Sequence, residues 1–512
     1  MGNNRSQLRV GIILNYVNIL LGNLIPVFYT PIMLSLLGQQ EYGLYKLSGS
    51  VTSYLSLLSL GIGSAVTRYL IKSREEEGQE AEEKVLGLFM IIFQIIALAS
   101  LILGILLSCN LGIWYGNSLT AEELTRMKIL VLLMVVNMAL NFSQTPYLSV
   151  VNAHEKFFFL QCANIVTTCL GPLLNLVVLF CGFASVGMAV STLVLGLICR
   201  CAYMIYVKKC IRLKANYRRL PTHLLKEILV FSFWIFVANV VGQLYNATDT
   251  ILIGAIPSLA TVGVAVYNVG NVFNGIVFSM TTGISTLLSP KANKMVFQGA
   301  SNEELTDLAM RIGRIQCYII TLIVTGFIAF GRPFISFYVG DGYADAYWVA
   351  VFMMVPNMIP LVQSVCLSII TAQNKHRFRS LVYLGIAVIN VIGTWLLLNK
   401  MGIIGAALMT GLALILGQGF VMNWYYHNKT GLNMIRFWKS VSKLYILPCC
   451  MCIITLILSR VIDFYQLAAL FTGIVLYTIL YCILNWRFVM NEYEKTIIRE
   501  PLQKLYQKVG RK

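Results

Sequence analysis

The chain has 512 residues, 58% of them apolar and 12% charged, with a mean hydropathy of +0.76 and a formal net charge of +18. Soluble domains carry about twice that charge fraction, whereas here apolar runs of about 20 residues or more recur from Val10 to Trp486. A soluble enzyme is excluded and an all-α polytopic membrane protein is expected; no nucleic-acid partner is expected either, because the basic residues cluster between apolar runs, facing lipid headgroups.

In chain order, fourteen spans are expected: 10–37, 43–70, 85–107, 125–151, 157–181, 184–207, 228–256, 259–288, 306–331, 344–371, 379–399, 402–426, 442–462 and 465–486. The opening MGNNRS fits a myristoylation pattern. The first span is too long for a signal-peptide core and lacks a small-residue cleavage site, so a retained, unlipidated helix is expected. It carries Asn15, Asn18 and Asn23, then Pro26 and Pro31, which should bend it. On span 2, Tyr45, Ser48, Thr52, Ser56, Ser59 and Gly63 recur at steps of three and four and share one face. Lys46 beside that stripe is either a cavity-lining cation or an outer-surface residue. Arg68 stands near the cytoplasmic boundary, where positive-inside anchoring also explains it.

A basic linker, KKCIRLKANYRRLPTH (208–223), precedes span 7. Asp249, in NATDTILIG, falls roughly 30 Å along that span if it is one ideal helix. A charge at mid-bilayer costs on the order of 3 kcal/mol and needs a partner or water. Asp249 is therefore either a functional carboxylate or an interfacial one capped by Asn246 or Thr250. Span 8 carries Tyr267, Asn271 and Asn274 at i, i+4 and i+7. Such stripes line a wet cavity or join helices in a dry bundle; their recurrence on spans 2 and 8 favours the cavity. Arg311 and Arg314 lie near the cytoplasmic end of span 9, and GDGYADAY (340–347) reads as a turn rather than an active site.

Catalysis finds little footing. The longest outer connection, about 108–124, is short and polar, and no phosphate-cradling loop occurs. Most cysteines fall inside spans as packing residues, and no His or carboxylate flanks CCMC (449–452) to complete a metal site.

The chain repeats itself. LSVVNAHEKFFF (148–159) matches LSIITAQNKHRF (367–378), and GFASVGMAV (182–190) matches MGIIGAALM (401–409) at nearly the same offset. Spans 1–6 and 7–12 thus read as two copies of one six-helix unit: an N-terminal lobe (1–212), a C-terminal lobe (213–440), and a final segment (441–512) with spans 13 and 14 and a basic tail. Copies with an even number of helices enter the membrane alike, so pseudo-symmetric lobes around a central cavity are expected. With both termini cytoplasmic, 32 of the 39 Lys/Arg fall on the cytoplasmic side and six on the outer side, the bias that the positive-inside rule predicts.

Two six-helix lobes, two further spans and the polar LGIGSAVTRYL ending span 2 resemble the multidrug/oligosaccharidyl-lipid/polysaccharide exporter superfamily. The pattern is most similar to its polysaccharide-biosynthesis (Wzx-like) flippases, relatives of the MurJ and MATE branches. The resemblance implies a non-enzymatic flippase of a bacterial cytoplasmic membrane. It would move undecaprenyl-pyrophosphate-linked oligosaccharides to the outer leaflet by alternating access, among membrane lipids and alongside a polysaccharide polymerase; nothing demands more than a monomer. Lys46, Arg68, Arg311 and Arg314 are then the candidate pyrophosphate contacts. Tyr45 and Tyr267 are candidates for stacking on sugars, with Asn23, Asn271 and Asn274 lining the cavity. In the lipid II branch, sodium is held by an aspartate on span 7, an asparagine and an aspartate one turn apart on span 11, and a threonine on span 12. The matching positions are Asp249, Asn390, Thr394 and Thr410, with Thr394 where the family has a second carboxylate. Sodium or a proton is thereby implied as coupling ion and no other cofactor. The alternatives are a cation-coupled multidrug exporter and, further off, a membrane enzyme of polysaccharide synthesis.

Overall fold

A computed structural model describes residues 2–373, 375–496 and 499–500, and among them every regular element is a helix. The α-helices are α1 (Gly2–Ser53), α2 (Ile62–Glu77), α3 (Gln79–Tyr115), α4 (Ala121–Ala153), α5 (Phe157–Phe180), α6 (Ala184–Tyr206), α7 (Leu224–Asn246), α8 (Thr248–Gly254) and α9 (Ala260–Phe297). They continue as α10 (Asn302–Val339), α11 (Ala346–Val362), α12 (Ser364–Ala372), α13 (His376–Leu414), α14 (Met422–Lys429), α15 (Met434–Val441), α16 (Lys443–Leu458) and α17 (Leu467–Leu484). Ten helical stretches among the described residues are long and apolar enough to cross a membrane, or eleven if α11 and α12, bent by 43°, form one span. Two of the ten, Leu14–Glu77 and Phe378–Lys429, each run through two expected spans. Both contain a glycine outside helical geometry, Gly38 (φ 74°) and Gly402 (φ 60°).

Besides span 10, bent between α11 and α12, two expected spans are interrupted. Span 2 changes to a 3-10 turn at Tyr54–Ser59, then passes through Leu60 and Gly61, both in the left-handed region. A Cβ on Gly61 would stand 2.9 Å from the Ser232 carbonyl oxygen and the Phe236 nitrogen of α7, so the break is also a close backbone approach. Span 7 breaks at Ala247, which separates α7 from the seven-residue α8.

The chain packs as two compact units, residues 1–268 with 394–403, and residues 269–393 with 404–512. In the first, α3 packs along α4 and α1 along α5. Its core includes Leu70, Phe89, Val150 and Tyr203. In the second, α10 packs against α11, α15, α16 and α17, around Phe330, Phe464 and Tyr477.

The internal repeat has a structural trace. At the end of α4, His154 N–H donates to Val150 O (3.0 Å) and Lys156 N–H to Val151 O (3.0 Å). In the matching segment, Gln373 N–H donates to Ile369 O (3.0 Å) and Lys375 N–H to Ile370 O (2.9 Å). The six-residue bond is the helix-ending arrangement that a left-handed residue permits, and Glu155 at φ 54° supplies it in the first copy.

Candidate functional site

In the first unit, Asp249 lies in the first turn of α8 and is 2% exposed. Its carboxylate accepts hydrogen bonds from the Tyr267 hydroxyl (2.5 Å) and the Thr394 hydroxyl (3.3 Å). Of the neighbouring residues, Asn246 Nδ2 donates to Gly242 O, and Thr250 Oγ1 accepts from Asn268 Nδ2. At the adjacent residue, Tyr54 shares a 2.5 Å hydrogen bond with Thr248, and further back Gln243 bridges Ser53 and Ser56. In the sequence Gln243 stands between Asn239 and Asn246 at helical spacing, a signal that does not name its serine partners on span 2.

The rest of the span 2 stripe is drier. Ser48 and Thr52 are buried and donate to carbonyls of their own helix, Leu44 O and Ser48 O. Lys46 is half-buried, its ammonium 5.4 Å from the Tyr42 ring centroid, with half-buried Tyr45 adjacent in the chain. Glu41, near the turn into this helix, accepts from Ser185 (2.5 Å) and Arg126 (3.1 Å), and Arg126 also binds Glu122 (2.6 Å). Arg68 is exposed and covers the Phe231 ring at 4.7 Å. Asn23 donates to Ile19 O (2.7 Å).

In the second unit, Asn274 donates to Asn271 (3.3 Å) and accepts from Asn357 of α11 (2.9 Å), an amide chain the stripe announced only in part. Gln316, fully buried in α10, donates to Ser285 (2.6 Å) and Ser364 (2.8 Å), a cluster that no periodic signal announced. Asn390 and Thr410, both fully buried, are joined at 3.1 Å. The two α10 arginines meet the C-terminal segment. Arg311 covers the Tyr493 ring at 5.0 Å, and Arg314 grips Glu494 through Nε (2.5 Å) and Nη2 (3.1 Å). The structure thus brings Asp249, Tyr267 and Thr394 together, pairs Asn390 with Thr410, and commits Arg314 to a carboxylate.

Residues 8–287, more than half of the chain, match the family model described as polysaccharide biosynthesis protein. The chain belongs to the polysaccharide biosynthesis protein family. No curated protein matches this family member. Among solved structures it is similar to the lipid II flippase MurJ in an inward closed conformation, with 15% identity over 94% of this chain and 100% of that one and a TM-score of 0.70. It is also similar to an inward-facing multidrug resistance MATE transporter of the MOP superfamily, with 14% identity over 83% and 94% of the two chains and a TM-score of 0.64. A third likeness is the MATE multidrug transporter DinF-BH, at 14% identity over 83% and 95% and a TM-score of 0.56. The family member therefore has a MurJ/MATE-like transporter fold and is an all-α, multi-pass membrane protein.

Proposed function

We propose that this protein is a non-enzymatic flippase that moves undecaprenyl-pyrophosphate-linked oligosaccharides from the inner to the outer leaflet of a bacterial cytoplasmic membrane. It works by alternating access and keeps both termini in the cytoplasm. Family membership supplies the pathway class, and the transporter fold supplies the kind of work. The observation that carries the reading is Asp249, a carboxylate 2% exposed in an apolar helix and held by the neutral hydroxyls of Tyr267 and Thr394. Burying a carboxylate is costly unless its charge is met. One carboxylate with neutral oxygens fits a monovalent hard cation or a proton better than a divalent metal. Among the described residues no cluster of three acidic, His or Cys side chains could hold a metal ion. A coupling charge moving through 100 mV would contribute about 2.3 kcal/mol to the cycle.

Lys46 and Arg68 are the pyrophosphate contacts favoured here; Arg314 would serve only if Glu494 released it. The test is restoration of a flippase-deficient strain, scored by lipid-linked sugar left on the cytoplasmic leaflet. The natural chain should clear it, and Asp249→Asn should abolish cation-dependent clearance. Unchanged clearance at every sodium level and pH would remove the coupling role. The likeness to MATE multidrug transporters favours one second reading, a cation-coupled drug exporter; heightened drug susceptibility on deletion, with glycan synthesis intact, would select it.

A further inference from the structure

The second unit holds a cavity of its own. α10 ends at Gly340, a 3-10 turn follows at Asp341–Tyr343, and α11 begins after Asp345. Against this corner opens a cavity of about 330 Å³ whose lining includes Arg332, Ser336, Asp341, Asp345, Trp348 and Tyr465. That volume lies at the small end of the range of about 300–1,000 Å³ typical of small-molecule sites. It has room for a terminal ring rather than a whole oligosaccharide.

Its walls are pre-set. Trp348 touches Tyr347 edge-on at 5.1 Å and stacks on Phe352 at 5.9 Å, and the Tyr347 hydroxyl is anchored to Ile328 O at 2.9 Å. Trp348 is nonetheless 38% exposed, and Tyr465, from the connection before α17, is 56% exposed. Arg332 lies over both Tyr347 (5.2 Å) and Trp348 (5.1 Å). Asp341 accepts from the Ser336 hydroxyl, and Asp345 is exposed on the same wall.

The mixture selects among ligands. The arginine covers ring faces that would otherwise attract an organic cation. The two carboxylates repel phosphate. A neutral polyhydroxylated ring satisfies all of them: its hydroxyls donate to carboxylates and accept from guanidinium, and its C–H face lies on the exposed Tyr465 ring with Trp348 as the adjoining wall. An aromatic belt at a membrane interface would also place Trp, Tyr and Arg near a helix end, but it does not call for two carboxylates on the same cavity. Arg332 stands 18 residues beyond Arg314 on α10, roughly 27 Å and close to the hydrocarbon thickness. The cavity therefore lies toward the opposite membrane face from Arg314.

We propose that this cavity is a sugar subsite that receives a terminal neutral ring of the glycan on the outer side, an inference that rests on the flippase reading. The test uses the full-length protein in lipid nanodiscs, with neutral methyl glycosides as probes and saturation-transfer NMR as readout. The natural protein should transfer saturation to ring protons of at least one glycoside. W348A should lower that signal about fivefold or more, the loss of one ring contact, and D345N should lower it in a chain that keeps its aromatic wall. W114A, at an exposed tryptophan in the other unit, should leave it unchanged. No transfer to any glycoside, equal signals in all variants, or Trp348-dependent binding of tetraphenylphosphonium in place of sugar would each overturn the subsite. Strain restoration separates the two ideas. Restoration without glycoside binding retains the flippase and removes the subsite; Trp348-dependent binding without restoration does the reverse.

Discussion

Glu82 is 1% exposed on α3, and its carboxylate meets His154 Nε2 at 2.9 Å and Arg74 Nη1 at 4.0 Å. Arg74 also caps the end of α4 through Ala153 O (3.2 Å). His154→Ala would leave a buried carboxylate without its nearest donor, at a cost of about 2–4 kcal/mol. The expected outcome is a lower unfolding midpoint in detergent, partly recovered in the Glu82→Gln/His154→Ala double variant because the carboxylate is then neutral. Unequal legibility also shows at this scale. A carboxylate in an apolar run marks Asp249 by its cost alone. Tyr267 lies 18 residues away on the next helix, and only the fold turns its hydroxyl onto Asp249. Periodicity put Tyr267 in a stripe, and a stripe does not say whether a hydroxyl faces water or a carboxylate. Gln316 is the plainer case: one amide two residues past Arg314 sets no period of its own, so its serine partners come from packing alone.

Hydropathy finds long apolar elements well and their interruptions poorly, because it weighs side chains and not backbone. The Tyr54–Ser59 turn falls in the serine-rich stripe of span 2 and the Ala247 break in NATDT, and in neither does side-chain polarity mark a change of backbone. The one local sign of the first is GIG at 61–63, where Gly61 takes φ 71° against α7. The tail is the opposite case. Its basic charge announces no buried contact, yet Glu494, 4% exposed, is clasped by Arg314 and Tyr318 and closes a reciprocal pair of bonds with Asn491. Breaking a buried pair by removing one partner costs about 3–5 kcal/mol. Glu494→Ala should therefore undock this segment: hydrogen exchange of residues 485–496 should rise well above that of α10. Arg314→Ala should do the same, and the double variant should cost less than the sum of the singles. Unchanged exchange in Glu494→Ala would mean that the segment is held by its apolar contacts instead.

For the whole chain, the orientation argument turns on parity. The basic bias of 32 residues against six assumes that every expected span crosses, and α4 is the critical case. At 33 residues it is long enough to cross, but it carries Pro146 and a polar stretch, NFSQTPY, near its end. Between the 116–120 connection and the 208–223 linker lie three helices, α4, α5 and α6. Three crossings put those two segments on opposite faces, and two would put them on the same face. All thirteen cysteines are free, so a chain stripped of the others can keep Cys210, exposed in the linker, and gain Asn117→Cys, exposed in the connection. In intact cells a membrane-impermeant maleimide should label the cysteine at 117 and reach Cys210 only after permeabilisation. Labelling of both in intact cells would remove α4 from the spans and with it the even count. Labelling of Cys210 alone would keep the crossings and invert the protein, moving the Trp348 cavity to the cytoplasmic side.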